Sequence, residues 1–223
     1  EHFSSTVNRE WLSAESPLGV IAQYTSFTGR MTAPPDWVHD GAIVALARPL
    51  QESLLIVDEL EAAGAALSAV WNQTWSGINQ TYIGEQVLWN WAQSESDHPQ
   101  WAAWVSELDA TGIKTLCYLN PMLLDVSDRD PQPARNLYAE AAQGRYFVEN
   151  AESETLVFPL TAFEVSLLDL TNPDGRQWMK SVIQDELINK AGCSGWMVDF
   201  AEAFPFEASL YSEEDPEKHH NQY

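Results

Sequence analysis

Positive charge is scarce in this 223-residue chain: 11 Lys and Arg stand against 33 Asp and Glu, for a formal net charge of −22. A surface of that sign repels phosphate backbones and anionic lipid, which argues against nucleic-acid and membrane partners. Apolar runs are short, none approaching the roughly 20 residues of a membrane-spanning helix. No charged segment followed by an apolar one, the mark of a secretory leader, opens the chain. Cysteine occurs only as Cys117 and Cys193, too few for a disulfide scaffold or a zinc cluster. Both lie in or beside apolar segments and read as buried free thiols. On that cysteine usage the cytoplasm is favoured over a secreted setting. Neither G-x-G-x-x-G nor G-x-x-x-x-G-K-[ST] occurs, which weighs against a nucleotide site. The chain opens at Glu1 without Met and ends at Tyr223, so a fragment of a longer protein is expected.

What the sequence has is apolar residues in periodic order. Hydrophobic residues make up 45% and aromatics 11%, enough for a substantial core. A strand-like patch lies at Val20–Tyr24, ahead of a linker ending at Pro34-Pro35. From Asp36 a rhythm begins. Ala42–Ala47 is an apolar run without polar alternation, as in a strand buried on both faces. Pro49 then opens a helix that carries Leu54, Leu55, Val57 and Leu60 and stops at Gly64. Ala65–Trp71 repeats the strand, and a long insert rich in Trp, Asn and Gln follows. A helix from about Pro99 to Ala110 leads to a third strand, Lys114–Leu119. A shorter helix around Ala134–Ala142, a hairpin-like stretch Tyr146–Phe158 and the segment Ser166–Leu170 come next. A helix from Pro173 through Ala191 precedes the fourth strand, Trp196–Phe200. Strands alternating with helices predict a parallel sheet, as in a (β/α)8 barrel or a doubly wound fold. A barrel needs eight such units, and only the first four are countable here.

In a barrel the reactive groups sit at the carboxyl ends of the strands. Those ends read Ala47-Arg48, Asn72-Gln73-Thr74-Trp75, Asn120-Pro121, and Asp199 with Glu202. Amides, carboxylates and indole faces together suit a sugar, which needs hydrogen bonds to hydroxyls and a flat apolar platform. Asp199 stands out because it ends an otherwise apolar strand, where an unpaired carboxylate is costly. A helix-capping or ion-paired Asp is an equally good account of position alone. Trp101, Trp104 and Trp178 fall at helical core spacing and read as packing, whereas Trp75, Trp89 and Trp196 lie towards the expected active end. His219 and His220 beside Asp215 and Glu217 show no familiar metal-ligand spacing and read as part of an acidic surface loop.

Several segments carry a family resemblance in the right order. Gly195-Trp196-Met197-Val198-Asp199-Phe200-Ala201-Glu202 resembles the nucleophile segment of glycoside hydrolase family 31. Within that family it is most similar to the sulfoquinovosidases. Pro35–Gly41, Trp71–Gly77, Val87–Trp91, Tyr118–Pro121 and Asp169–Pro173 agree with the same pattern. The resemblance implies the first half of a (β/α)8 barrel over residues 35–223, with residues 1–34 as the end of a β-sandwich domain and its linker. It implies a retaining α-glycosidase acting on a terminal α-linked sugar, without cofactor or metal, through a covalent intermediate on Asp199. Gln73, Trp75, Gln86, Trp89, Asn120, Trp196 and Glu202 are then the expected sugar-contacting positions. The acid/base Asp of the resembling enzymes lies beyond strand four, so this chain alone is expected to be inactive. Their sulfonate-gripping Arg falls on Gln86, and their first-strand Gln falls on Ala47. A neutral α-glucoside therefore stands beside a sulfoquinovoside as the expected substrate, and Arg48 is the nearest substitute cation. A non-catalytic carbohydrate-binding protein on the same scaffold is the alternative. Self-association of the full-length enzyme is left open.

Overall fold

A computed structural model describes residues 11–200, 202 and 204–220. The first ten residues of the expected sandwich tail lie outside the described residues. Beyond them the strand expected at Val20–Tyr24 is replaced by helix α1, Pro17–Thr28. Local start signals override the β-branched patch here: Ser16 caps the helix by accepting from Gly19 N–H, and Pro17 occupies the first turn. Among the described residues no strand lies against it, and Leu18, Ile21 and Phe27 are exposed.

The four expected strands form one parallel sheet. β1 (Ala42–Leu46) is followed by helix α2 (Leu50–Ala62), and β2 (Leu67–Asn72) pairs with β1. A hairpin, β3 (Ile78–Thr81) and β4 (Gly84–Val87), fills part of the insert. Helix α3 (Trp101–Ala110) then leads to β5 (Lys114–Leu119), which pairs with β2. The short strand β6 (Met122–Leu123) and helix α4 (Leu137–Gly144) come next. β7 (Phe158–Pro159) and β8 (Glu164–Leu167) follow, with β8 antiparallel to both β6 and β7. Helix α5 (Pro173–Val182) continues as a π-helical segment, Ile183–Lys190. β9 (Gly195–Val198) pairs with β5, and helix α6 (Pro216–His220) ends the described chain. The sheet order β1-β2-β5-β9, with a helix in each crossover, is that of the first four units of a (β/α) barrel. The expected hairpin at 146–158 is reduced to an antiparallel bridge, Glu149 to Thr155.

The register assigns the sheet's two faces. Residues paired across a parallel sheet point the same way, and neighbours along a strand alternate. Val70, Cys117 and Leu119 lie on the face covered by the helices, and all three are buried with Trp101, Trp104 and Leu187 in one core. The other face carries Ile43, Trp71, Leu116, Met197 and the direction of Asp199. Cys117 and Cys193 are joined in a disulfide rather than held as free thiols, with Cα atoms 5.9 Å apart. They are 76 residues apart in sequence and meet only because β9 pairs with β5. The premise that favoured a cytoplasmic setting is thereby removed.

Gly41 shows how closely β1 approaches its neighbour. A Cβ there would stand 2.6 Å from the carbonyl oxygen of Ala66, which leaves room for hydrogen alone.

His98 locks the loop that follows β2. It is fully buried, with Nε2 2.7 Å from the Thr74 carbonyl, so the ring donates there and is neutral. Burial pushes its pKa below the ordinary value, against the opposing pull of Thr74 and Asp97. The unfolded chain protonates His98 near pH 6.5, while the folded chain resists until lower pH. This stabilisation is therefore complete above pH 6.5 and is lost as pH falls toward the folded pKa. The urea midpoint should fall between pH 7.5 and pH 5.5, and fall less in His98→Gln. Equal falls in both proteins would mean that His98 makes no such contribution.

Candidate active site at the carboxyl end of the sheet

Asp199 follows the last residue of β9 and is held from two sides. Its backbone N–H donates to the Leu119 carbonyl at 3.1 Å, which extends the β5–β9 pairing by one bond. Its Oδ2 lies 3.3 Å from the Tyr118 hydroxyl. The next residue, Phe200, has φ +59°, a left-handed conformation costing roughly 1–2 kcal/mol for a residue with a Cβ. The Phe200 ring packs on Trp89 with centroids 5.2 Å apart, a contact that holds the bend. A carboxylate at a strand tip followed by a sharp bend is set out from the sheet edge.

Tyr118 is buried, and its phenol pKa is pushed up chiefly by that burial. The Asn120 bond opposes the shift, and Asp199 and Glu202 add to it. The phenol therefore stays protonated and serves as a donor. Asn120 is fully buried. Its Oδ1 accepts from Met122 N–H at 2.8 Å, and its Nδ2 faces the Tyr118 hydroxyl at 3.5 Å.

Three indoles clamp the end of β5. Trp71 Nε1 donates to the Cys117 carbonyl at 2.9 Å, Trp75 Nε1 to Tyr118 at 2.7 Å, and Trp91 Nε1 to Met122 at 3.2 Å. Trp71 and Trp91 also face the Tyr118 ring, at 6.2 and 5.7 Å. A buried tryptophan N–H is usually placed on an acceptor, and here the Trp71 and Trp75 bonds tie down the strand carrying Tyr118, with Trp91 holding Met122 just beyond it.

The expected sugar-contacting residues divide accordingly. Gln73 and Gln86 line one cavity of about 270 Å³ with Ala47, Thr74, Ile78, Glu85 and Val87. Glu202 is exposed beyond Asp199, close enough for its charge to reach Tyr118. Trp89 is 5% exposed, with Phe163 edge-on at 5.3 Å and Phe200 tilted against it at 5.2 Å. Trp75 has no exposed surface, so its expected sugar contact is corrected to a packing and clamping role. Asn120 likewise has both amide ends engaged within the protein. Trp196 pairs with Cys117, which puts it on the face opposite Asp199 and in the first half of its strand. Trp101 and Trp104 are core residues, as expected, and Trp178 packs against the core beside Tyr146. Arg48, the candidate substitute cation, is paired with Glu52 at 3.2 Å on the exposed start of α2. His219 contacts Glu214 at 3.0 Å in the acidic loop. Among the described residues no group of three His, Cys, Asp or Glu could hold a metal, and no helix is long and apolar enough to cross a membrane.

The profile of the glycosyl hydrolases family 31 TIM-barrel domain matches residues 32–223. A sulfoquinovosidase of Escherichia coli strain K12 is 31% identical over 208 residues, covering 93% of this chain and 29% of that protein. The sulfoquinovosidase of Agrobacterium fabrum is 28% identical over 212 residues, with 95% and 31% covered. Among solved structures, a family 31 sulfoquinovosidase from E. rectale, in complex with an aza-sugar inhibitor, superposes with a TM-score of 0.84. Its identity is 29%, with 94% of this chain and 30% of that one covered. A Flavobacterium johnsoniae dextranase of family 31 shares the fold at a TM-score of 0.74 and 16% identity, with 94% and 25% covered. The chain thus spans under a third of the length of the relatives it matches.

Proposed function

Because the chain belongs to glycoside hydrolase family 31, we propose that it supplies the nucleophile half of a retaining α-glycosidase site, with Asp199 as the nucleophile. One observation carries the reading: Asp199 ends the fourth parallel strand, with a hydroxyl donor on one carboxylate oxygen and its backbone N–H tied to β5. In the first step the carboxylate attacks the anomeric carbon. The bond to the leaving oxygen breaks, and that oxygen takes a proton from a second carboxyl group. Water then attacks the same carbon and gives a proton back to the second carboxyl group. The ester bond to Asp199 breaks, its electron pair returns to the carboxylate, and the sugar leaves with its configuration retained. In the resembling enzymes the second carboxyl group lies on a later barrel strand, so turnover is a property of the complete barrel.

The cavity beside Gln73 and Gln86 bears on the substrate. Among the described residues its walls hold two amides and the Glu85 carboxylate and no Lys or Arg, and Arg48 is engaged with Glu52. A sulfonate entering a partly desolvated pocket needs a cation to offset its lost hydration, and a guanidinium fork meets that need best. Amides instead suit neutral hydroxyls. We therefore read the substrate as a neutral α-glycoside of the glucose type, although the named relatives are sulfoquinovosidases.

Both readings are tested on the protein with its complete barrel, using 4-nitrophenyl α-D-glucopyranoside and 4-nitrophenyl α-sulfoquinovoside. The first sugar product seen by proton NMR should be the α-anomer, and kcat/KM for the glucoside should equal or exceed that for the sulfonated sugar. A β-anomer first would exclude the double displacement. A clear preference for the sulfonated substrate would mean that a cation reaches the pocket from elsewhere. Sugar binding without hydrolysis of either compound would make the protein a lectin-like module.

A further inference from the structure

We propose that Tyr118 and Asn120 form a directional hydrogen-bond relay that positions Asp199 and speeds its release from the glycosyl ester. The inference rests on the reading of Asp199 as nucleophile.

The direction of the relay follows from what each group can do. Met122 N–H is a donor, so the Asn120 atom 2.8 Å away is the acceptor Oδ1. That leaves Nδ2, a donor, toward the Tyr118 hydroxyl at 3.5 Å. The hydroxyl oxygen accepts from Nδ2, and its single proton is left for Asp199 Oδ2 at 3.3 Å. Backbone geometry fixes the amide, the amide fixes the hydroxyl, and the hydroxyl selects which carboxylate oxygen is engaged. The other oxygen, without a hydrogen-bond partner among the described residues, is left to attack. Tyr118 and Asn120 are buried beside Trp71 and Trp91, which shields the phenol from water, while Asp199 at the end of the relay is exposed to the substrate side.

The relay acts unequally on the two chemical steps. In the first, the Asp199 electron pair moves to the anomeric carbon and negative charge leaves the carboxylate. A donor on Oδ2 stabilises the starting anion and gives this step no help. In the second, the bond between carbon and Asp199 breaks, and charge returns to the carboxylate as water adds to the sugar. The same donor stabilises that developing charge. Tyr118 is thus a positioning residue whose loss should trap the intermediate.

Tyr118→Phe in the protein with its complete barrel, with a 4-nitrophenyl α-glycoside that the parent cleaves, is the test. Losing one bond to a charged acceptor should lower kcat by about tenfold or more. KM should fall with it, kcat/KM should stay within about threefold, and a pre-steady-state burst of nitrophenol should appear or grow. Equal loss in kcat and kcat/KM with no larger burst, or no change at all, would overturn the relay. If Tyr118→Phe fails to fold, Asn120→Asp gives the same readout. A carboxylate at 120 accepts from both Met122 N–H and Tyr118 and so draws the phenol proton off Asp199. In parallel, the parent is treated with 5-fluoro-α-D-glucosyl fluoride and its peptides are weighed. An adduct on Asp199 with unchanged burst kinetics in the variants sinks the relay alone, while an adduct on another residue sinks the nucleophile assignment and the relay with it.

Discussion

Asp199→Asn, made in the protein with its complete barrel, should lower kcat by a factor of order 10³ or more while leaving the fold intact. Asparagine has the size and shape of the carboxylate, and its amide oxygen still accepts from the Tyr118 hydroxyl. The backbone N–H bond to Leu119 is independent of the side chain. What changes is the chemistry: an amide oxygen carries no net charge and forms no stable ester with the anomeric carbon. A loss of 10³ corresponds to about 4 kcal/mol of lost transition-state stabilisation, larger than the removal of any single hydrogen bond in the site would give. Circular dichroism and urea midpoints close to those of the parent would assign the loss to chemistry. Removing the side chain altogether, as in Asp199→Gly, provides a second arm. Azide should then enter the vacated volume, restore turnover and yield the β-glycosyl azide, because the small anion attacks from the side where the carboxylate stood. Turnover of Asp199→Asn within a factor of ten of the parent, or azide without effect on Asp199→Gly, would make Asp199 a structural residue at a strand tip.

The parts of this site that the sequence made legible are those that depend on local pattern. Apolar runs ending in Asn72, Asn120 and Asp199 mark β2, β5 and β9, although β9, at the edge of the sheet, is largely exposed rather than buried on both faces. Pairing was less accessible. Cys117 and Cys193 read as separate thiols because nothing local records that Cys117 lies opposite Trp196. Side-chain direction was hidden in the same way. Trp75 and Trp89 each lie within three residues of a strand end in sequence, yet one is sealed beneath the Tyr118 carbonyl and the other packs beside the Asp199 turn. Tyr118 passed as one more apolar residue of its strand. The signal that could have found it is the spacing Tyr-x-Asn at the end of β5, since both residues then face the side on which Asp199 follows β9. The β3–β4 hairpin is hidden in the sequence because Asn79-Gln80-Thr81 breaks any apolar alternation, and its one local signal is Gly84, at φ +106°, closing the Tyr82-Ile83 turn. The misread patch at Val20 had its correction in the preceding Ser16-Pro17, a helix start that outweighs two β-branched residues.

Arg135→Ala should cost this protein about 3 kcal/mol, at the lower end of what breaking a buried ion pair costs. The Arg135 guanidinium joins two elements that are distant in sequence. Its Nε and Nη2 meet the two Glu140 carboxylate oxygens at 2.9 and 2.6 Å, and its Nη1 meets Glu186 at 3.0 Å. Glu140 belongs to α4, while Glu186 lies in the π-helical continuation of α5 with its side chain 6% exposed. Removing the guanidinium leaves Glu186 buried with only the half-screened Lys190, 3.5 Å away, as counter-ion. Glu140 is about a third exposed, so its share is reduced by solvent screening, and the Glu186 contact dominates. For a domain of this size the loss corresponds to a fall in Tm of roughly 6–12 °C. The pH dependence checks the assignment. Hydrogen bonds from Arg135 hold the Glu140 pKa below the ordinary value, so that stabilisation is present above about pH 4.5 and disappears as pH falls through the folded pKa. In Arg135→Ala that part of the acid-side slope should vanish. Arg135→Met combined with Glu186→Leu should recover stability relative to Arg135→Ala, because the double replacement leaves no buried charge without a partner. A loss below about 1 kcal/mol, in the range of exposed ion pairs, would show that water reaches Glu186 and that the guanidinium does not hold α4 to the continuation of α5.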